Sequence, residues 1–364
     1  MLFWICLDTI FFLLYLVGMY CLKKDKDIHL LSIFLMTFLT VITVIREGVW
    51  TDYYSYVELF YENTEYLRQE PLFLFSIDVL RSLGFSSQML FFIYGVVINI
   101  LFWKAIKYYF PVAKDRLTAV LLFESMFCAW MFTINALRQG MAMAIIFWGY
   151  QFIEKHKNKC FYFCVVMATL FHYSVLLALI IPLIYKCKFR KNWLIFFIFL
   201  SYVIGTQLDV ANDLVVPILE FLADMTGIGS TYVRYALSEK WVSQEGVISS
   251  VGMGALATIV LSMVILLLLN MRDERSRFVA KMTALALCIR GLMWFSVPLM
   301  RLRYYFELFL IVGVVLIIHR VMDKDRRILA SVWILLYVLL HLGSIYVAEK
   351  TQTIDFGINL KFIE

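Results

Sequence analysis

Apolar runs of about 18 residues or more recur along this chain, and each is long enough to cross a hydrocarbon core of roughly 30 Å as a helix. Spans are expected at residues 2–22, 28–45, 88–106, 117–134, 136–153, 193–208, 247–270, 282–300, 303–319 and 328–346. A backbone in lipid must satisfy its own polar groups, and a helix does so within one segment. The expected fold class is therefore an all-α integral membrane protein, a polytopic helical bundle of about ten full spans. Composition agrees. Of 364 residues, 63% are hydrophobic and 16% charged, and the mean hydropathy of +0.83 exceeds what a soluble core can hide. The apolar start, Leu2 to Tyr20, is long for a signal-peptide core and lacks a positive n-region, so it reads as the first span. Residues 1–364 read as one polytopic membrane domain, with no repeat, low-complexity tract or linker to set a soluble domain apart.

Charge orients the spans. The formal net charge is +6, but the basic residues fall in short clusters between apolar segments, where a membrane protein places its cytoplasmic loops. No nucleic-acid partner is expected. The stretch 160–185 decides the topology. As a single crossing it puts the basic loop Lys186–Lys191 opposite the basic loop Lys155–Lys159; as a short returning hairpin it leaves both inside, along with 23–27, 107–116, 272–281 and 320–327. The hairpin is the better reading, and its tip, Phe171-His172-Tyr173-Ser174, is expected deep in the protein. Both termini then face outward, as do two long outer loops, 46–87 and 209–246, each expected to carry an interfacial helix (72–83 between Pro71 and Gly84, and 214–225).

Basic residues on the outer side are mostly arginine: Arg46, Arg68, Arg81, Arg138, Arg234, Arg301 and Arg303, with Arg290 in mid-span. A guanidinium grips phosphate oxygens in pairs, so convergent arginines suit a pyrophosphate; the alternative is pairing with Glu47, Asp52, Asp78 or Glu307 to lock helices. Arg138 and Arg290 are costly at mid-membrane, and Glu124 is a candidate partner for one of them. His172 is a candidate general base because an imidazole exchanges protons near neutrality, whereas His341 reads as structural. The Asp-Lys-Asp triplets at 25–27 and 323–325 sit among lysines and arginines and read as solvated charge runs. No outer loop carries a close carboxylate pair, and none of the seven cysteines forms a CxxC pair, so no metal and no cofactor is expected. Trp50, Tyr53, Tyr54, Tyr56 and Tyr61 read as an interfacial belt whose rings also suit sugar faces.

Arg46-Glu47-Gly48, Thr51-Asp52-Tyr53 with Tyr56, Glu70-Pro71, Asn135-Ala136-Leu137-Arg138-Gln139, and Ala168 with Phe171-His172-Tyr173-Ser174 together resemble the EpsG family, which is grouped with the Wzy-like polymerases of exopolysaccharide, capsule and O-antigen. The resemblance covers about the first half of the chain. Beyond residue 190 it rests on hydropathy and on Arg301-x-Arg303-Tyr304, and Leu72 stands where a glycine is expected after Glu70-Pro71. It implies a polymerase in the bacterial cytoplasmic membrane that joins repeat units carried on undecaprenyl pyrophosphate. The lipid-linked oligosaccharide would be both donor and acceptor, with a flippase and a chain-length regulator as further partners. On this reading Arg46, Arg138, Gln139, Arg301 and Arg303 bind pyrophosphate, His172, Glu47 or Asp52 serves as base, and Asn135, Arg234, Arg290 and Tyr304 support them. A flippase for the same lipid, a membrane acyltransferase and a polymer ligase are the alternatives. The missing sign of two matching halves counts against the first, and the absence of an acyl-donor site against the second.

Overall fold

A computed structural model describes residues 2–50, 52–62, 70–207, 253–294, 296–321, 323–350 and 357–358, with positions 216, 217, 220 and 233. Most of residues 209–246, expected as an outer loop, lie outside the described residues, and so do Arg234 and Arg68. The helices in chain order are α1 (Leu2–Leu16, prolonged by a π turn at Val17–Cys21), α2 (Asp25–Ile45), α3 (Asp52–Tyr61), α4 (Pro71–Ser82), α5 (Ser87–Tyr109), α6 (Ala113–Ser125), α7 (Trp130–Asn135), α8 (Leu137–Glu154) and α9 (Asn158–Thr169). After a 3-10 stretch at Tyr173–Ile180 come α10 (Ile181–Lys186), α11 (Lys191–Gly205), α12 (Met253–Leu268), α13 (Glu274–Leu292), α14 (Val297–Met300), α15 (Tyr304–Glu307), α16 (Phe309–His319) and α17 (Asp323–Lys350). Two residue pairs, β1 (Arg46–Glu47) and β2 (Gly357–Ile358), form an antiparallel bridge with Arg46 opposite Ile358.

Among the described residues, five helical segments are long and apolar enough to cross a membrane: Leu2–Cys21, Asp25–Ile45, Ser87–Tyr109, Pro298–His319 and Arg327–Val347. Shorter apolar helices occupy Tyr173–Lys186, Lys191–Gly205 and Gly254–Leu268. The protein is thus a helical membrane protein, with large apolar side chains such as Phe34, Val41 and Leu339 exposed on its helices, an arrangement that fits lipid rather than water. Two expected spans are interrupted. The run 117–134 is two helices, because the chain leaves helical geometry at Met126–Ala129 (Ala129 φ −109°, ψ −108°). The run 282–300 stops at Leu292, and Pro298 starts a new short helix that it could not have continued from within. Mean hydropathy is blind to both breaks, since the residues on either side are equally apolar.

The chain divides into two compact units, Met1–Leu179 with Ile318–Glu364, and Ile180–Ile317. In the first, α5 packs on α2 and α8, α2 packs on α6, and α1 and α17 both pack on α6. Gly95 makes the α2–α5 approach possible, because a Cβ there would lie 2.8 Å from Thr43 Cγ2. Polar contacts gather at two ends of this unit. At one, Tyr108 Oη donates to Glu154 at 2.9 Å and His319 Nδ1 lies 2.8 Å from Asp115, so the segments at 107–116, 154–159 and 319–327 meet. At the other lie β1, the start of α4, the α7–α8 junction and the turn after α9.

In the second unit, α13 packs on α11, α12 and α15. Lys281 Nζ donates to the carbonyls of Ile184, Tyr185 and Cys187 at 2.7 to 3.0 Å, capping the C-terminal end of α10 with a cation. Tyr185 Oη donates to Glu274 at 2.9 Å, so the basic segments 186–191 and 272–281 also meet.

Candidate functional site

The site is built where helices begin and end. α4 starts at Pro71, whose missing N–H costs nothing in a first turn, and Glu70 is its N-cap. The expected helix at 72–83 is present, with Phe73, Ile77 and Leu80 buried along one face and Gly84 (φ 75°) closing it. Leu72 donates its backbone N–H to Leu170 O at 3.1 Å, which ties the start of α4 to the turn after α9. This contact uses the position where a glycine was expected, and it needs only the backbone.

Across that tie the Glu70 carboxylate holds two cations or potential cations. Arg138 Nη1 lies 2.7 Å from Oε2, and His172 Nδ1 lies 2.8 Å from Oε1. The Tyr173 backbone N–H adds a third donor to Oε1 at 3.4 Å. Arg138 is also hydrogen-bonded to Tyr56 and lies over the Phe73 ring, 5.5 Å from its centroid. The carboxylate is 5% exposed, whereas His172 keeps 18% of its side chain open and Arg138 28%. Glu70 is therefore enclosed while both of its partners reach the surface. Burial alone would push the Glu70 carboxyl up; the hydrogen bond and charge of His172, then the charge of Arg138, outweigh it and hold the group at about 2. An ionised carboxylate can only accept, so His172 carries its proton on Nδ1 and, when neutral, its lone pair on Nε2.

Arg46 sits elsewhere than expected. It is 1% exposed, and its guanidinium donates to the carbonyls of Thr43 and, at 3.0 Å, Ile134. Both are orphan acceptors: Thr43 is in the last turn of α2, and the break at Ala136 (φ −99°, ψ 77°) frees Ile134 from its helical partner. Arg46 thus caps two helices, with its charge over the Phe91 ring at 5.0 Å. Burial pulls its pKa down to about 10, which leaves it charged at neutral pH. Its Nη1 and Nη2 donors thus face backbone, and Nε is buried without a hydrogen-bond partner. Next to it, Gly48 (φ 67°) and Trp50 (φ 65°) adopt left-handed backbone, at a cost of about 1–2 kcal/mol for a residue with a Cβ. A Cβ at Gly48 would lie 2.7 Å from Tyr54 Oη.

This bend delivers Asp52 to the start of α3, where its backbone N–H donates to Asn135 Oδ1 at 3.2 Å. Asn135 therefore joins the start of α3 to the α7–α8 junction. Asp52 is half-buried, Glu47 is exposed on β1, and Gln139 is buried one residue beyond Arg138. Glu124 does not pair with Arg138 or Arg290; Arg138 takes Glu70, and Glu124 lies with Asp8 and His341.

Arg290, Arg301, Arg303 and Tyr304 belong to the second unit. Arg303 is locked locally, with Nε on Glu307 at 2.8 Å, Nη1 on Met300 O at 2.9 Å and Nη2 on Tyr304 Oη at 3.2 Å. Helix locking was the alternative to phosphate binding, and it describes Arg303. Arg301 is half-buried on the same 3-10 turn. Arg290 lines an otherwise apolar cavity of about 500 Å³ with Ile198, Phe199, Tyr202, Leu256 and Trp294.

Sequence reasoning placed Arg138 and His172 among the candidates but passed over the carboxylate that joins them. The available signal was an acidic residue set directly before a proline at a helix start, where the helix dipole favours negative charge.

Among known proteins, the family model described as the EpsG family matches residues 29–357. No curated protein and no solved structure matches the chain.

Proposed function

This chain belongs to the EpsG family, and from that premise we propose that it is a polysaccharide polymerase of the Wzy-like kind whose chemistry centres on Glu70, Arg138 and His172. The observation that carries the reading is the shared carboxylate: a base and a phosphate-binding cation are held on the two oxygens of one buried group, 2.8 and 2.7 Å away.

The proposed reaction is glycosyl transfer between two oligosaccharide repeat units carried on undecaprenyl pyrophosphate. His172 Nε2 takes the proton of an acceptor hydroxyl as its oxygen attacks the anomeric carbon of the donor. The bond from that carbon to the pyrophosphate oxygen breaks, and undecaprenyl pyrophosphate leaves with the electron pair. Glu70 fixes the imidazole tautomer and stabilises the imidazolium that forms, as a carboxylate does beside a catalytic histidine in other enzymes. Arg138, with Gln139 beside it, faces the charge that develops on the leaving group. Pyrophosphate needs charge neutralisation rather than a Lewis acid to depart, so no metal takes part in this step. Arg301 is a second candidate for the pyrophosphate. Arg290 at the wall of an apolar cavity fits a lipid with an anionic head, which supports a lipid-linked substrate.

In this reading the chain is a multi-pass protein of the bacterial cytoplasmic membrane with ten crossings and a returning hairpin at 160–185, and the Glu70 site faces outward. The meeting of segments 186–191 and 272–281 supports a common side for them. Flippase and chain-length partners would supply and measure the substrate.

The test is mass analysis of lipid-linked glycans in a deletion strain, with outer and inner pools separated by access to an added glycosidase. Single repeat units accumulating outside are the expected result. Single units trapped inside would replace the reading with a flippase, polymer stranded on lipid with a ligase, and normal surface polymer would overturn it.

A further inference from the structure

Three helices of the first unit each bring one ionisable side chain to a common point inside the protein. Asp8 on α1, Glu124 on α6 and His341 on α17 are 0%, 0% and 1% exposed. His341 Nδ1 lies 2.9 Å from Asp8 Oδ2 and 3.9 Å from Glu124 Oε1, and one ligand-type atom from each residue falls within 4.8 Å of the others. Neither carboxylate forms an ion pair with a lysine or arginine among the described residues. Asp8 and Glu124 also face each other in hydrogen-bonding contact, but no other group donates to either Glu124 oxygen or to Asp8 Oδ1, and His341 Nε2 is likewise buried without a partner. Two carboxylates and one imidazole held this way in a membrane protein cost several kcal/mol per ion unless positive charge joins them.

We propose that Asp8, Glu124 and His341 bind one divalent cation of the zinc class, which clamps α1, α6 and α17 together. One imidazole and two carboxylates form a ligand set suited to zinc or manganese, with a further position left for a water. The separations of 2.9 and 3.9 Å bracket the roughly 3.4 Å edge of a tetrahedron with bonds of about 2.1 Å, so rotamer adjustments suffice to close the shell. On binding, His341 Nδ1 gives up its hydrogen bond to Asp8 and the ring proton moves to Nε2.

Depth along the expected spans agrees. Asp8 lies six residues into the first span from its outer end and His341 five residues short of the outer end of the last, about 9 and 8 Å respectively at 1.5 Å per residue. The clamp also lies under the scaffold of the candidate site. Trp4 meets the His341 ring edge to face at 6.0 Å and Trp130 at 6.2 Å, Trp130 Nε1 donates to Thr43 Oγ1 at 2.8 Å, and the Thr43 carbonyl accepts from Arg46. The cation therefore has a structural role and touches no reacting group, and it replaces the expectation that the chain holds no metal.

The experiment uses the full chain in detergent, stripped with a chelator and then given Zn²⁺ alone or Co²⁺ alone. The expected result is one equivalent of Zn²⁺ retained through desalting and a higher melting temperature. Co²⁺ should give visible ligand-field bands that saturate at one equivalent. Retention should weaken more than about tenfold in Glu124→Gln and in His341→Gln. The proposal is overturned if the unsubstituted chain retains no metal and shows no bands, or if both variants retain metal as well as the parent. It is also overturned if Glu124→Gln melts at or above the parent while metal never changes either, since the carboxylates would then share a proton instead. Should both variants fail to fold, the Co²⁺ titration of the unsubstituted chain decides.

Discussion

At Glu70, the residue that precedes α4, one carboxyl group pairs with Arg138 and orients His172. Glu70→Gln keeps the shape and removes the charge, so it should lower polymerisation by roughly 10² or more, at normal protein level, in an assay with purified lipid-linked repeat units. Its acid behaviour follows from the same contacts. The folded-state value of about 2 lies below the ordinary carboxylate value of about 4.3, so Glu70 stabilises the fold at neutral pH. That contribution is complete above the unfolded value and fades as pH falls from about 4 through about 2. Thermal unfolding followed across that window should therefore lose less stability in Glu70→Gln than in the parent. Arg138 and His172 were legible in the sequence because charge and imidazole are conspicuous among apolar neighbours. Glu70 stood out only as part of the Glu70-Pro71 motif, and its role as their shared partner was not legible, because a glutamate in a polar loop looks ordinary until the fold encloses it. Glu124 and His341 were individually visible and Asp8 was not, and nothing in their spacing announces that residues from three helices share one point.

Among the elements, the short helix α7 matters most. The break that ends it at Ala136 releases the Ile134 carbonyl, and Arg46 answers that carbonyl together with the end of α2. Arg46→Met should leave both acceptors buried without donors and cost on the order of 2–4 kcal/mol, read as a lower melting temperature in detergent. If Arg46 instead acted only on substrate, activity would fall while the melting temperature stayed. Helix α4 was readable from Pro71, Gly84 and the apolar spacing between them. The breaks flanking α7 were not, since Met126–Ala129 and Ala136 are as apolar as their surroundings and carry neither proline nor glycine. A hydropathy window merges α6 and α7 into one span for that reason.

For the whole molecule, apolar runs conveyed the membrane class, while helix breaks and the partition into two units required coordinates. The hairpin makes a direct prediction. Cys187 follows α10, Cys160 lies in the first turn of α9, and both are exposed. In chains retaining only one of them, a membrane-impermeant maleimide should label each from the cytoplasmic side of inverted vesicles and not from outside intact cells. Labelling of Cys187 from outside would make 160–185 a single crossing and invert every later loop.

The cap made by Arg46 also imposes an order of assembly. Its second carbonyl lies 88 residues downstream, so at typical rates of synthesis of about 5–20 residues per second α2 waits roughly 4 to 18 s for the segment that completes its end. Its bridge partner Ile358 lies farther downstream still. Until then the guanidinium can be satisfied by water and headgroups at the membrane surface. A nascent chain halted between residues 46 and 134 would thus hold its first two spans with an end still hydrated, and the outer scaffold would close only late in biogenesis.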